Sequence, residues 1–343
     1  MMNSDIFYSF DKLFSRSEFL IAFVIGERGC GKSYGIKKTM LKRWLKTGEE
    51  FIYLRRYKTE LDTALTTFWD DLVTNDEFVG HSLTVDKSKM LSKFRCDGKV
   101  CGYAVPLSTA NILKSTPFPK VGLMVYDEFL LDGRGTYKYL RNEVMMLLDT
   151  IESVFRLRDG KTVLLGNALN VHACPYFAYW NLELPEGDNE FRTFEDGAIV
   201  VNYIKNLRYR EAKKRTKFGK LVEGSSYGEY AIDNKVYNEN NSFLKKKPSN
   251  AVFYGLLVIN GVNIGVWSGR DGLVYLSSKY DPNTMFKFVF DENDHNESTI
   301  YLSVRENMIM SHCVRCYKQG WLRFDNQKIK SLMMKILNKC IAI

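Results

Sequence analysis

A chain of 343 residues with 45% hydrophobic content is long and apolar enough for two domain-sized cores, which excludes a globally disordered chain. Its formal net charge of +9 and isoelectric point near 9.0 favour an anionic partner, nucleic acid first. The start, Met1-Met-Asn-Ser-Asp-Ile-Phe7, lacks the basic and long apolar regions of a signal peptide, and the apolar runs are too short to span a bilayer, so no membrane partner is expected.

Residues 1–18 read as a short extension with aromatic anchors at Phe7, Tyr8, Phe10 and Phe14; core packing and contact with a nucleotide base are both open. The apolar run Phe19–Ile25 then reads as a buried parallel strand. It feeds Gly26-Glu-Arg-Gly-Cys-Gly-Lys-Ser33, which fits G-x-x-x-x-G-K-[ST], and a helix expected over Tyr34–Lys46 with Ile36, Met40, Leu41, Trp44 and Leu45 on one face. Strand, glycine-rich loop and helix in that order are the context of a P-loop. Gly26, Gly29 and Gly31 let the backbone turn so that successive N–H groups converge on one anion, and the helix N-terminus adds its positive dipole end. The stretch from Gly26 through Glu27, Arg28, Gly29, Cys30, Gly31, Lys32 and Ser33 to Tyr34 is therefore the expected ATP cradle. Within it Lys32 reaches the β- and γ-phosphates and the Ser33 hydroxyl is a Mg²⁺ ligand.

Glu50–Arg56 reads as a second strand ending in two arginines. Strand C-termini face the ligand crevice in open α/β sheets, so Arg55 or Arg56 either senses phosphate or restrains a catalytic carboxylate; a solvated rim pair is the plainer alternative. A single amphipathic helix is expected over Lys58–Val73, a β-rich stretch over 83–105 with its turn at Asp97-Gly98, and a short helix over Ser108–Ser115. Val121-Gly-Leu-Met-Val-Tyr-Asp-Glu128 is an apolar strand ending in two carboxylates, the form of a Walker B motif. Asp127 shares the Mg²⁺ shell with Ser33, while Glu128 polarises the attacking water. That acid pair points to the additional-strand, catalytic-glutamate division of P-loop ATPases and away from small nucleoside kinases.

A long helix is expected over Tyr137–Arg158. Lys161–Asn167 reads as a further strand whose Asn167 senses the attacking water or the γ-phosphate. The arginines before it, Arg156 and Arg158, either reach a neighbouring subunit's nucleotide or compensate the helix dipole. Asn202–Lys220 holds eight basic residues against the single acid Glu211, a phosphate-backbone candidate or a solvated linker. Beyond Tyr227 three strands, 251–259, 262–267 and 273–276, form a meander with turns at Asn260-Gly261 and Asp271-Gly272, and a helix at Lys328–Asn338 closes the chain. The seven cysteines are odd in number and scattered, which reads as reduced thiols. His312-Cys-Val-Arg-Cys316 and the pair Cys96/Cys101 tempt a zinc reading. The pairs are far apart and the second brackets a hairpin turn, so small buried side chains are the preferred reading.

Taken together, FVIGERGCGKSY, EFIYLRRYK, LKSTPFPKVGLMVYDEF, RNEVMMLLDTIESVFR, LLGNALNV, RTKFGKLVEGSSYGE, NGVNIGVWS and GWLRFDNQKI resemble the genome-packaging ATPases of small phi29-type tailed phages almost end to end. The resemblance implies an α/β P-loop NTPase of the RecA/FtsK-like additional-strand type over residues 1–200, a basic helical linker over 201–228, and a smaller β-rich α+β domain over 229–343 like a vestigial RNase H-type nuclease. It implies ATP and Mg²⁺ as cofactors, double-stranded DNA and the procapsid portal as partners, and a homo-oligomeric ring, typically a pentamer, at the portal vertex in the host cytoplasm. In some relatives the ring docks through a structural packaging RNA. It also implies that Arg156 is a trans arginine finger, that Lys114 is a second basic residue acting across the subunit interface, and that Lys58 is a basic position after the second strand. Strand 251–259 carries no acid where a two-metal nuclease would need one, and Asp271, Asp281, Asp291, Glu292, Asp294 and Asp325 fall in expected turns, so no cleavage is expected. A RecA-like helicase and a nucleotide-switched portal module without turnover are the alternatives.

Overall fold

The computed structural model describes residues 7–16, 18–131, 137–167, 171, 174–185, 190–225, 228, 243–259, 261–303 and 306–341. Asn260 of the first hairpin signal and the expected domain edge at residue 229 lie outside them. The chain forms two compact units, Met1–Tyr237 and Asn238–Ile343.

The first unit is built on a nine-stranded sheet. Its strands are β1 (Ile21–Gly26), β2 (Glu50–Arg55), β3 (Leu83–Asp86), β4 (Ser92–Cys96), β5 (Lys99–Pro106), β6 (Val121–Asp127), β7 (Lys161–Asn167), β8 (Phe191–Phe194) and β9 (Ile199–Tyr203). The order is β3-β4-β5-β2-β6-β7-β1-β9-β8. The six central strands from β5 to β9 run parallel, and antiparallel partners close both edges. Continuous apolar runs are what a parallel sheet covered on both faces requires: in β1 every residue is buried. The pleat divides them, with Phe23 and Ile25 in one core and Ala22 and Val24 in the other.

Strand β7 lies between β1, which carries the glycine-rich loop, and β6, which carries Asp127. This is the additional strand expected from the paired carboxylates. Helix α1 (Asp11–Phe14) precedes the sheet, and α2 (Lys32–Thr47) leaves the loop. Ile36, Met40 and Leu41 of α2 are buried, whereas Leu45 is exposed, contrary to its expected place on the inner face.

The expected helix over Lys58–Val73 is two, α3 (Lys58–Thr66) and α4 (Asp70–Thr74). Phe68 and Trp69 between them are both buried against Phe94, with centroids 4.4 and 5.4 Å away. Neighbours on one continuous helix point about 100° apart, so the break lets both rings enter the same core. Helix α5 (Glu143–Phe155) starts six residues later than expected, after Asn142 in the left-handed region at φ 57°. The 108–115 helix is a 3₁₀ helix over Leu107–Ser115. The Asp97-Gly98 turn has φ of 51° and 75°, the positive pair of a tight hairpin.

After α6 (Pro175–Tyr179) and β8, the expected boundary at residue 200 falls inside β9, which pairs with β1 and belongs to the sheet. The basic stretch forms α7 (Leu207–Lys214) and α8 (Lys217–Val222), capped by Asn206 and Thr216 side chains.

In the second unit the meander is β10 (Val252–Ile259), β11 (Val262–Ser268) and β12 (Val274–Ser277), extended by β13 (Lys287–Val289), β14 (Ile300–Tyr301) and β15 (Leu322–Phe324). The order is β14-β13-β10-β11-β12-β15, with β13, β14 and β15 joining in parallel. Helices α9 (Met308–Lys318) and α10 (Gln327–Ile341) supply Met310, Cys313, Cys316, Leu332 and Met333 to its core. Helix α9 was not expected: its apolar positions are interrupted by Ser311, His312 and Arg315.

Candidate active site

A glycine-rich loop becomes an anion cradle only if its backbone reaches conformations closed to other residues. Gly29 and Gly31 do so at φ 85° and 94°. Both are also closely approached. A Cβ at Gly31 would stand 2.7 Å from Phe7 Cβ, and one at Gly29 would strike the Tyr209 hydroxyl. Cys30 is buried, and burial pushes its thiol pKa up. The Lys32 ammonium donates to the carbonyls of Gly26 (3.0 Å) and Glu27 (2.7 Å) and to Asn167 Oδ1 (3.3 Å). The parallel register sets Gly26 beside Asn167, so the expected sensor lies next to the loop.

The opposing wall is the end of β6. Ser33 Oγ stands 3.3 and 3.5 Å from the two Asp127 oxygens. This hydroxyl–carboxylate pair is an all-oxygen donor set that suits Mg²⁺, which keeps several waters and binds beside phosphates. Asp127 also accepts from Tyr53 Oη at 2.9 Å. Burial, then the Asp127 charge, raises the Tyr53 pKa well above its usual value, so Tyr53 stays a donor.

Glu128 follows at φ 59°, a left-handed conformation unusual for glutamate, which turns it out of the strand. Two adjacent arginines hold it there. Arg55 Nη1 is 2.6 Å from Glu128 Oε2, and Arg55 Nη2 is 3.5 Å from Asp127. Arg56 points to the other face, donating to the carbonyls of Glu128 (3.3 Å) and Phe129 (2.7 Å) and gripping Glu143 through two bonds of 2.8 and 3.1 Å. Neither arginine is a solvated rim group. Arg56 is 1% exposed, and Glu143 also accepts from Tyr126 and Tyr176. Burial works against the Arg56 charge, and Tyr126 and Glu143 outweigh it, so its pKa rises.

Lys32, Ser33, Asp127, Glu128 and Asn167 line a cleft of about 780 Å³, a volume suited to a nucleotide. Phe7, Tyr34, Asp71 and residues 74–77 line it too. Phe7 therefore meets the cleft and the glycine loop, while Phe10 is simply buried. Lys114 and Arg156 are absent from this lining. They share a second cavity of about 470 Å³ with Asp149, Glu152, Ser153 and Leu157, where Lys114 pairs with Asp149 at 3.5 Å. Arg158 does not join them freely: it donates to four carbonyls, of Phe118, Pro119, Val121 and Val154, at 2.7–3.0 Å. Lys58 donates to the Lys89 carbonyl, away from both cavities.

Tyr53, Glu143 and the seating of α7 on the glycine loop escaped the sequence reading. Tyr53 had a signal, because period two puts it on the same face as Arg55. The seating of α7 had none. Tyr209 Oη and Lys213 Nζ donate to the Arg28 carbonyl, and Arg210 pairs with Glu27, across more than 180 residues.

In the second unit the acids are engaged locally. Asp271 pairs with Lys245 and Tyr275, Asp325 accepts from Lys247 N and Ser277, and Asp281 and Asp291 cap turns. Cys313 and Cys316 turn into the core of that unit. Among the described residues, the His, Cys, Asp and Glu side chains close enough to share a metal are His81, Cys96 and Asp97, in the first unit.

Known proteins match this arrangement along its length. The "DNA packaging protein" of Bacillus phage phi29 is 34% identical over 341 residues, 98% of this chain and 99% of that protein. The solved bacteriophage Phi-29 viral genome packaging motor assembly matches with a TM-score of 0.77 and 32% identity, covering 97% of this chain and 99% of that one. The crystal structure of the N-terminal domain of the DNA packaging ATPase from bacteriophage phi29 matches 59% of this chain and 98% of its own, at 36% identity and a TM-score of 0.51. The model of the podovirus DNA encapsidation protein (Gp16) family matches residues 2–342, and the chain belongs to that family.

Proposed function

We propose that this chain is the ATP-hydrolysing motor that drives double-stranded viral DNA into a procapsid. The observation that carries the reading is Glu128, turned out of β6 and held by Arg55 across the cleft from Lys32, Ser33 and Asn167. A pure nucleotide switch does not require that carboxylate. Family membership supplies the substrate: relatives of this length and arrangement are DNA packaging proteins.

The loop N–H groups and Lys32 bind and orient the triphosphate. Ser33 and Asp127 would hold Mg²⁺, which would supply positive charge against the charge that develops on the phosphates. Glu128 takes the proton from a water aligned by Asn167. Lys114 and Arg156, outside their own chain's cleft, complete the site of the next protomer in a homo-oligomeric ring, pentameric by the family resemblance and seated on the portal in the host cytoplasm. DNA is held through its phosphates by the basic stretch around α7 and α8. The second unit binds nucleic acid or portal and does not cut DNA, consistent with its locally consumed carboxylates.

The test is ATP hydrolysis by the wild type and Glu128→Gln, with and without double-stranded DNA, at two salt concentrations. DNA-stimulated, salt-sensitive turnover that the variant loses is expected. Turnover that survives in Glu128→Gln would remove Glu128 as the base. Stimulation by single strands with duplex unwinding would favour a helicase.

A further inference from the structure

The second residue of the phosphate loop is an acid, the wrong sign for a triphosphate site. Glu27 is 2% exposed. Its Oε1 pairs with Arg210 Nε of α7, and its Oε2 is buried with no hydrogen-bond partner among the described residues. The carboxylate stands in the field of Lys32, the residue that must reach the phosphates. Burial pushes its pKa up, and Arg210 draws it back. Helix α7 is seated on the outside of the loop by further contacts: Tyr209 Oη to the Arg28 carbonyl at 3.2 Å, Lys213 Nζ to the same carbonyl at 3.3 Å, and the Tyr209 hydroxyl filling the space that the missing Cβ of Gly29 leaves.

We infer that Arg210 is a positioning residue for the nucleotide: by neutralising Glu27 it sets how tightly the phosphate loop holds ATP, and so ties ATP affinity to the seating of the basic helix. The inference rests on the ATPase reading above. With α7 seated, Glu27 is compensated and the Lys32 charge is available to phosphate. With α7 displaced, a buried carboxylate either keeps its charge and repels the triphosphate or competes for Lys32.

The coupling runs both ways. Arg208, Lys214 and Arg215 lie exposed on or just after α7. A polyanion bound there that favours one seating of the helix must change ATP affinity, and ATP must change its affinity by the same factor. Double-stranded DNA is the polyanion that a packaging motor presents. The pair thus supplies a route from the track to the phosphate loop with no further subunit involved.

The experiment uses the full chain and equilibrium binding of Mg·ATPγS, with steady-state KM and kcat for ATP. Arg210→Met should weaken binding about tenfold or more, an uncompensated buried charge being costly, with the loss in KM rather than kcat. Arg210→Lys should stay near wild type. Adding Glu27→Gln to Arg210→Met should recover most of the affinity, because it removes the charge that Arg210 compensates; lost packing alone would not be rescued this way. A short DNA duplex should shift the wild-type affinity and leave that of the double variant unmoved. Should Arg210→Met fail to fold by circular dichroism, the double variant and Arg210→Lys carry the comparison. The inference is overturned if Arg210→Met binds like wild type, if the double variant binds no better than the single, or if DNA shifts both proteins alike. A wild type that binds no Mg·ATPγS at all would instead remove the ATPase reading, and this inference with it.

Discussion

Arg55 reaches both carboxylates at the end of β6, with Nη1 2.6 Å from Glu128 Oε2 and Nη2 3.5 Å from Asp127 Oδ2. Its Nε also donates to Tyr53 Oη, which itself holds Asp127, so Asp127 and Glu128 share one scaffold. Glu128 is half exposed, and without that scaffold its side chain would sample many rotamers. Arg55→Ala should lower kcat by roughly ten- to a hundredfold, the scale of losing a positioned general base, while KM changes little. Steady-state ATPase assays at saturating Mg²⁺ decide it; a kcat that rises instead would make Arg55 a brake on Glu128.

Arg156 and Lys114 come together outside the cleft of their own chain, and this arrangement makes a mixing test decisive. Arg156→Ala and Glu128→Gln should each be nearly inert alone. A mixture should regain part of the wild-type rate, because an Arg156→Ala cleft can receive the arginine of a Glu128→Gln neighbour. A finger is worth about 10³–10⁵ in kcat, so even modest recovery is measurable. An arginine acting on its own chain's nucleotide would give no recovery in any mixture.

The Arg56–Glu143 pair is a stability element beneath the backbone of Glu128 and Phe129. Arg56→Ala leaves Glu143 buried without its cation, held by Tyr126, Tyr176 and the Leu140 N–H, and should cost about 3–5 kcal/mol. Chemical denaturation of the first unit should show the loss as a lower midpoint. Exchange of both residues for apolar ones should cost less than the single change.

The salt dependence of DNA binding should identify the gripping residues. Replacing exposed Arg208, Lys214 and Arg215 with glutamine should weaken binding uniformly across sequences. It should also lower the slope of log K against log salt by about 0.9 for each phosphate that the protein no longer neutralises. An unchanged slope would place the track elsewhere.

Thiol reactivity should report the packing of all three cores. Among the described residues six cysteines are buried, and burial pushes Cys101 and Cys313 up to about 12 and Cys174 to about 11. The thiolate is the reactive form, and it gains population only as pH rises toward these values. At pH 8 these six should resist iodoacetamide in the folded protein and react on unfolding, read by mass spectrometry. Rapid labelling of Cys30 in the folded chain would contradict the packing of the glycine loop.

Motifs whose chemistry is local were legible in the sequence. Gly26–Ser33 and Val121–Glu128 declare themselves because neighbours in the chain are neighbours in the site. Their spacing along the sequence does not reveal that β7 separates them, but the acid pair does. The α3–α4 break was hidden because a helical period cannot show that Phe68 and Trp69 must enter one core. Glu143 looked like an ordinary helix residue, since its partners Arg56, Tyr126 and Tyr176 come from three other elements. The pairing of Glu27 with Arg210 was equally invisible, because nothing in a charge pattern says which basic residue turns inward.

The four carbonyl bonds of Arg158 have a mechanical meaning. Arg156 stands two residues earlier at φ 53°, at the close of α5, on backbone that Arg158 fastens to the strand entry at residues 118–121. What is fastened is the Arg156 backbone; the exposed side chain keeps its own torsions. Under the ring reading proposed above, the reach of that charge would be set by one side-chain length from a fixed mount, and the rest of the approach would have to come from the angle between one protomer and the next.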